Sequence, residues 1–214
     1  MITLFLDTST TRLIVALYKD KECLFLENEE AKNDLSSRVL PKIKYALNKC
    51  ELLVDDINKI IVINGPGSFT GVRVGVTIAK TLAWAKKIDI ITISSLELMA
   101  TTKVDTEYIV PLIDARRDAF FAGMYDKKHN IIFNESYITR TALMNKIKRH
   151  TSKSNVSFIS YTEISNLETI LPEINIEYII KKYSKKKTLN PHGVNPNYLK
   201  LVEAEEKLND KRNK

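Results

Sequence analysis

Gly65-Pro66-Gly67-Ser68-Phe69-Thr70-Gly71-Val72-Arg73-Val74-Gly75 holds four of the six glycines in a chain of 214 residues. A glycine-rich turn that opens a helix can cradle an anion on free backbone N–H groups, so phosphate binding is the first chemistry to test. The spacing rejects both common phosphate loops. No lysine follows Gly71, as GxxxxGK[ST] requires, and Thr70 stands where GxGxxG needs its third glycine.

Two aspartates follow as candidates. Asp7-Thr8-Ser9-Thr10-Thr11 and Asp114 each close a strand-like run and lead into a turn. One large superfold of nucleotide hydrolases holds phosphate and metal on strands that end in this way, but its loops use glycine so that backbone can reach phosphate. The Asp7 turn has none, so Asp7, Thr8 and Ser9 are read as a vestigial phosphate loop. An aspartate there can equally bond the N–H groups of its own turn. Metal and nucleophile motifs are missing: His129, His150 and His192 are isolated, and neither HExxH nor GxSxG occurs. The aromatic residues form no RNP pattern for stacking RNA bases.

The helix behind the glycine turn is more informative. Gly71, Gly75, Ala79 and Ala83 recur every four residues and make one smooth face, against which another element can approach closely. Glycine inside a helix costs roughly 1 kcal/mol relative to alanine, so Gly75 requires a packing reason. Val74, Ile78, Leu82 and Ala85 form a second apolar face. A helix apolar on two sides is buried on two sides. Its own sheet is expected to cover one; helix 35–50, a partner chain, or both cover the other.

The elements that position these residues alternate between strands and helices. Runs 2–6, 12–18 and 22–26 read as a meander. Leu35, Val39, Ile43, Ala46, Leu47 and Cys50 fall at helical spacing after an Asn33-Asp34 cap, with Pro41 predicting a kink or a late start. Run 59–64 is a buried-type strand, 72–86 the longest helix, and 88–93 a strand followed by a short helix capped by Ser94 or Ser95. From 108 the pattern strand–Asp–turn–strand–strand returns (108–114, 119–125, 130–138), followed by helix 141–149, strand 155–160 and helix 176–186. This predicts an α/β protein with mixed sheets and a weak internal duplication. The first lobe is placed at 1–104, and a reduced second lobe, with a charged helical tail over 203–214, at 105–214.

Composition narrows the class. With 44% hydrophobic and 28% charged residues the chain reads as an ordinary globular protein, and no apolar run is long enough to span a bilayer. The absence of a signal-like N-terminus and of any CxxC pair for Cys23 and Cys50 predicts a cytoplasmic, reducing location. Residues 1–139 hold 18 basic and 18 acidic side chains and residues 140–214 hold 15 and 8, so the whole net charge of +7 lies in the last third. Its densest cluster, Lys181-Lys182 and Lys185-Lys186-Lys187, is either a solvated surface or a site for a polyanion such as RNA.

The glycine stretch resembles the signature of the TsaB (YeaZ-like) family. LDTST at 6–10, LIDARRDAFFAGMY at 112–125 and Pro196-Asn197-Tyr198-Leu199-Lys200 resemble the family at the right places. The resemblance implies a two-lobe actin/Hsp70-like (ASKHA) fold. It also implies a non-catalytic subunit that pairs with TsaD, the catalytic paralogue, in forming the threonylcarbamoyl group on N6 of adenosine 37 in tRNAs reading codons that begin with A. It further implies work alongside the small ATPase TsaE, homodimers through the same surface, no cofactor on the chain alone, and ATP or ADP only in the assembled complex. Contact with tRNA would be weak or indirect, through 181–187. The expected partner interface lies on Leu35, Val39, Ile43, Gly71, Val72, Gly75, Ala79, Leu82 and Ala83. Gly65, Pro66, Gly67, Ser68, Phe69, Thr70 and Arg73 serve as the structural motif. Some relatives carry a histidine where this chain has Leu35, which weakens a metal role. The competing reading is an enzyme, either a nucleotide-dependent ATPase or phosphotransferase or a metalloprotease-like protein, resting on Asp7, Asp114 and the glycine loop.

Overall fold

A computed structural model describes residues 1–30, 34–186 and 188–200. Strands β1 (Ile2–Asp7), β2 (Arg12–Lys19) and β3 (Glu22–Glu30) form an antiparallel meander. Helix α1 (Leu35–Lys49) leads to β4 (Ile57–Ile63), which lies parallel to β1. Helix α2 (Phe69–Lys86) then leads to β5 (Asp89–Ile93), parallel to β4. The order in this sheet is β3-β2-β1-β4-β5.

The unbroken apolar runs of β1 and β4 follow from burial on both faces. Leu4, Leu6, Ile60 and Val62 face the core shared with α1 and α2, whereas Phe5, Ile61 and Ile63 face a separate core on the other side.

A short helix α3 (Ser95–Met99), capped by Ser94 through its side chain, crosses to the second sheet. There β6 (Tyr108–Asp114), β7 (Ala119–Asp126) and β8 (Ile131–Thr139) form another antiparallel meander. After α4 (Arg140–His150), β9 (Val156–Ile159) pairs parallel with β6, giving the order β8-β7-β6-β9. The first four strands of the two sheets thus share one topology. The second sheet has no counterpart of β5 among the described residues, and α4 covers one of its faces through Leu143 and Ile147.

Helix α5 (Ile176–Tyr183) does not stay with the second sheet, as its place in the sequence suggested. Ile176, Ile179, Ile180 and Tyr183 bury against Phe5, Ile14 and Ile61 of the first. Each such side chain contributes roughly 1.5–3 kcal/mol when removed from water, enough to hold a two-turn helix there. The buried Lys59 of β4 completes the joint by donating to the last carbonyls of this helix region, with Nζ 2.7 Å from the Ser184 oxygen. A cation at a helix C-terminus is favourable to the dipole.

Pro41 neither delays nor ends α1, which starts at Leu35 and runs through it. The proline is exposed, and the one backbone bond it removes is to the carbonyl of the equally exposed Ser37, which water can satisfy. Asp34 occupies the cap position without a side-chain capping bond, and its carboxylate turns to Arg38 instead. Asn33, Lys187 and the tail at 203–214 lie outside the described residues.

Candidate functional site

The glycine motif folds back onto the turn after β1. Thr8 Oγ1 donates to the Gly71 carbonyl at 2.7 Å, and the Ser68 amide donates to the Ser9 carbonyl at 2.7 Å. A Cβ on Gly67 would collide with the Ser9 carbonyl, one on Gly71 with the Thr8 carbonyl, and one on Gly75 with the Thr8 hydroxyl. Three of the four glycines are therefore required by close approach to Thr8 and Ser9. The fourth, Gly65, sits at φ 103°, a backbone conformation that only glycine adopts freely. Ser68 caps α2, accepting from the Gly71 amide, and Ser95 holds the motif from the far side, its hydroxyl donating to the Pro66 carbonyl and its amide to the Gly65 carbonyl.

Asp7 is sealed beneath this cover at 1% exposure. Its Oδ1 accepts from both the amide and the hydroxyl of Ser9, each at 2.7 Å. Burial outweighs these bonds and pushes its carboxyl up to about 6. Burial also pushes the Tyr161 phenol up, and the nearby Asp7 adds to it.

This geometry does not fit a nucleotide polyphosphate. The loop places its close approaches against the Ser9 and Thr8 carbonyls and the Thr8 hydroxyl, among the described residues no lysine lines the cleft beside it, and a second negative charge would face the already desolvated Asp7. Among the described residues no group of three or more His, Cys, Asp and Glu is arranged to hold a metal ion. The structure therefore brings Asp7, Thr8 and Ser9 together with the glycine motif, but as an internal latch.

The expected interface requires the larger correction. Val39, Ile43, Gly71, Val72, Gly75, Ala79 and Ala83 are all buried within the first lobe. The small-residue face meets Thr8 and the sheet of its own chain, so it offers nothing to a partner. Of the expected set only Leu35 and Leu82 keep surface.

The solvent side of α2 carries Val74, Ile78, Thr81, Leu82 and Ala85 instead, part-buried or exposed. Arg73 and Lys80, the only charges on α2 before its last turn, are both engaged. Arg73 donates to Tyr198 Oη at 2.6 Å and stacks on Phe69 at 3.7 Å, and Lys80 donates to the Val194 carbonyl at 3.0 Å. Beside it, α1 exposes Leu40 at 53%. The result is an apolar, hydroxyl-bearing helix face without a free charge. Segment 194–198 flanks it, tied also by the Asn197 amide to the Asn64 carbonyl at 2.7 Å. No periodic signal marked the Arg73–Tyr198 link, because its partners are 125 residues apart.

Between the two sheets lies a cleft of about 530 Å³ where the ends of β1, β6 and β9 meet the start of α2. Eight of its thirteen lining residues bear hydroxyls, one is Asp114, and no lysine or arginine lines it among the described residues. Ser160, Tyr161 and Thr162 belong to this lining and had no signature in the sequence. Within the basic cluster, Lys182 pairs with Glu97 at 2.8 Å and Lys186 lies 4.6 Å over the Tyr183 ring. Cys23 and Cys50 are free thiols, one exposed and one half-buried. No described helix is long and apolar enough to cross a membrane.

This two-sheet architecture has clear counterparts among known proteins. Residues 28–207 match the family model described as "TsaD: tRNA N6-adenosine threonylcarbamoyltransferase". A solved structure from Pseudomonas aeruginosa, described as similar to peptidase YEAZ, superposes with a TM-score of 0.75 at 21% identity. That superposition covers 93% of this chain and 99% of the other, which establishes a shared fold. The class is therefore the family of that transferase model, built as an α/β fold on two mixed sheets.

Within that class the similarity is more specific. The chain is 30% identical over 97% of its length to the tRNA threonylcarbamoyladenosine biosynthesis protein TsaB of Bacillus subtilis, and covers 97% of that protein. It is 32% identical to the protein of the same name from Escherichia coli over 61% of its length, covering 58% of that protein. The chain belongs to the TsaB family.

Proposed function

We propose that this chain is a non-catalytic pairing subunit of tRNA threonylcarbamoyladenosine biosynthesis, and that its solvent-facing α2 surface docks a TsaD-type transferase. The observation that carries this reading is that α2 face. From Val74 to Ala85 it has apolar and threonine side chains at the surface and no unengaged charge. Such a stripe on a soluble protein marks an interaction site more than a solvated face. The latched Asp7 and the lack of a metal-ligand cluster among the described residues support a role without chemistry on this chain. The same surface serves a homodimer when the partner is absent. TsaE joins the assembly, and ATP or ADP belongs to that assembly rather than to this chain. Lysines within 181–187 make at most a weak contact with tRNA.

Co-expression with the TsaD of the same organism, followed by native mass measurement, tests the reading. A stable heteromer whose transferase activity requires both chains is expected. Two chains that purify separately, or a peptidase activity of this chain alone, would count against it. Filter binding of tRNA across a salt series tests the lysines, with any affinity falling steeply as salt rises.

A further inference from the structure

The cleft between the sheets is independent of the α2 docking face, and its lining has a chemistry of its own. Hydroxyl groups from both lobes converge on it, among them Thr10 and Ser68 from the first and Ser160 from the second. Leu35 and Ile113 supply apolar walls, and Asp114 supplies one carboxylate. Asp114 already holds the amide of Arg116 through Oδ1 at 2.8 Å, so its position is defined by its own turn.

Charge decides what such a cleft accepts. Among the described residues of the lining a phosphate chain would meet no lysine or arginine, and it would face Asp114, with Asp7 buried behind the floor. An uncharged polyol has the opposite balance: hydroxyls find donors and acceptors on every side, and a carboxylate accepts both hydrogens of a vicinal diol. The apolar walls suit a flat ring beside that diol. Pockets of a few hundred cubic ångströms are the usual size for such molecules. The floor carries a further sign. The Tyr161 hydroxyl is buried without a hydrogen-bond partner, which is unfavourable unless a water or a ligand group reaches it.

We propose that the interlobe cleft binds a free nucleoside, with Asp114 on the ribose diol and the base between Leu35 and Ile113, and that it rejects the corresponding nucleotide polyphosphates. A nucleoside could arrive as a small molecule or as an unpaired residue of an RNA. The lining, with one carboxylate and no described lysine or arginine, favours the small molecule, because an RNA residue brings a phosphate on each side.

Calorimetric titration of the full-length chain with adenosine, AMP and ATP, each with and without Mg²⁺, tests this. Adenosine is expected to saturate with a Kd of about 0.1–1 mM, a typical efficiency for a ligand of its size. AMP should bind more weakly and ATP more weakly still. Asp114→Asn should weaken adenosine roughly tenfold, as expected for loss of a charged hydrogen-bond acceptor, at an unchanged melting temperature. Thr70→Tyr, a bulky change at an exposed position of the lining, should abolish binding in a folded chain. The proposal is overturned by ATP binding more tightly than adenosine, by unaltered affinity in Asp114→Asn, or by no saturation below about 10 mM. An RNA hairpin with an unpaired adenosine that outcompetes the free nucleoside would overturn the small-molecule assignment. None of these outcomes bears on pairing with a TsaD-type chain, so the two readings fail separately.

Discussion

The turns after β1 and after β6 begin alike and end in different environments. In each, an aspartate closes the strand and its Oδ1 accepts the amide two residues on, Ser9 for Asp7 and Arg116 for Asp114. The first is then covered by the glycine motif and excluded from water. The second remains exposed, and its chain turns through Arg116, Arg117 and Asp118 with φ of 64°, 54° and 55°. Non-glycine residues pay about 1–2 kcal/mol each for that left-handed conformation. The second lobe thus tolerates local strain at an open cleft edge, while the first places Gly67, Gly71 and Gly75 where the chain must pack directly on Thr8 and Ser9. The same strand–Asp–turn unit is a structural latch in one lobe and part of a cleft lining in the other, and what covers it makes the difference.

The largest effect should come from lifting the cover. Gly75→Val pushes a branched side chain into the Thr8 hydroxyl, where overpacking and loss of the bond to Gly71 together cost about 3 kcal/mol or more. Urea unfolding should show a large fall in midpoint or no folded protein. Gly193→Ala, where nothing lies within 4 Å, should stay within about 0.5 kcal/mol of the parent.

Next comes the latched carboxylate. Asp7 has a folded value of about 6 against 3.8 for the free group, so the folded chain holds a proton that the unfolded chain has released. Stability must therefore fall as pH rises from about 4 to 6, leaving ionised Asp7 unfavourable at pH 7 by up to about 3 kcal/mol. Asp7→Asn keeps the acceptor for Ser9 and should raise the pH 7 midpoint while flattening that slope. Glu135, also pushed up by burial, adds a slope of the same sign, so the difference between variant and parent is the quantity to read. Asp114→Asn, at an exposed position, should leave the pH 7 midpoint unchanged.

Smallest is the flanking segment. Tyr198→Phe removes the bond from Arg73 and should lower stability by about 0.5–1.5 kcal/mol, visible as a slight shift in midpoint.

Much of this organisation could be read from local pattern. The Ile60-Ile61-Val62-Ile63 run, the α2 periodicity and the returning strand–Asp–turn each report a nearby chemical constraint, and the structure places elements at all three. The small-residue stripe was misassigned because a period of four says only that something approaches closely. The approaching group is Thr8, 63 residues from Gly71, so nothing local distinguishes it from a partner helix. Helix α5 itself is legible at 176–186, but its docking is not, for a similar reason: an amphipathic face shows that it must be covered, not which sheet covers it. The cleft draws single residues from several elements, and no spacing rule links Ser9, Asp114 and Tyr161.

The central claim is that docking uses the outer face of α2 while the glycine face is internal. Native mass measurement of a TsaD co-expression tests it most directly, comparing the parent chain with the double variant Thr81→Glu, Ala85→Glu, both at exposed positions. The account predicts a heteromer for the parent, and separate chains for the variant at an unchanged melting temperature. A variant that still forms the full heteromer would contradict it.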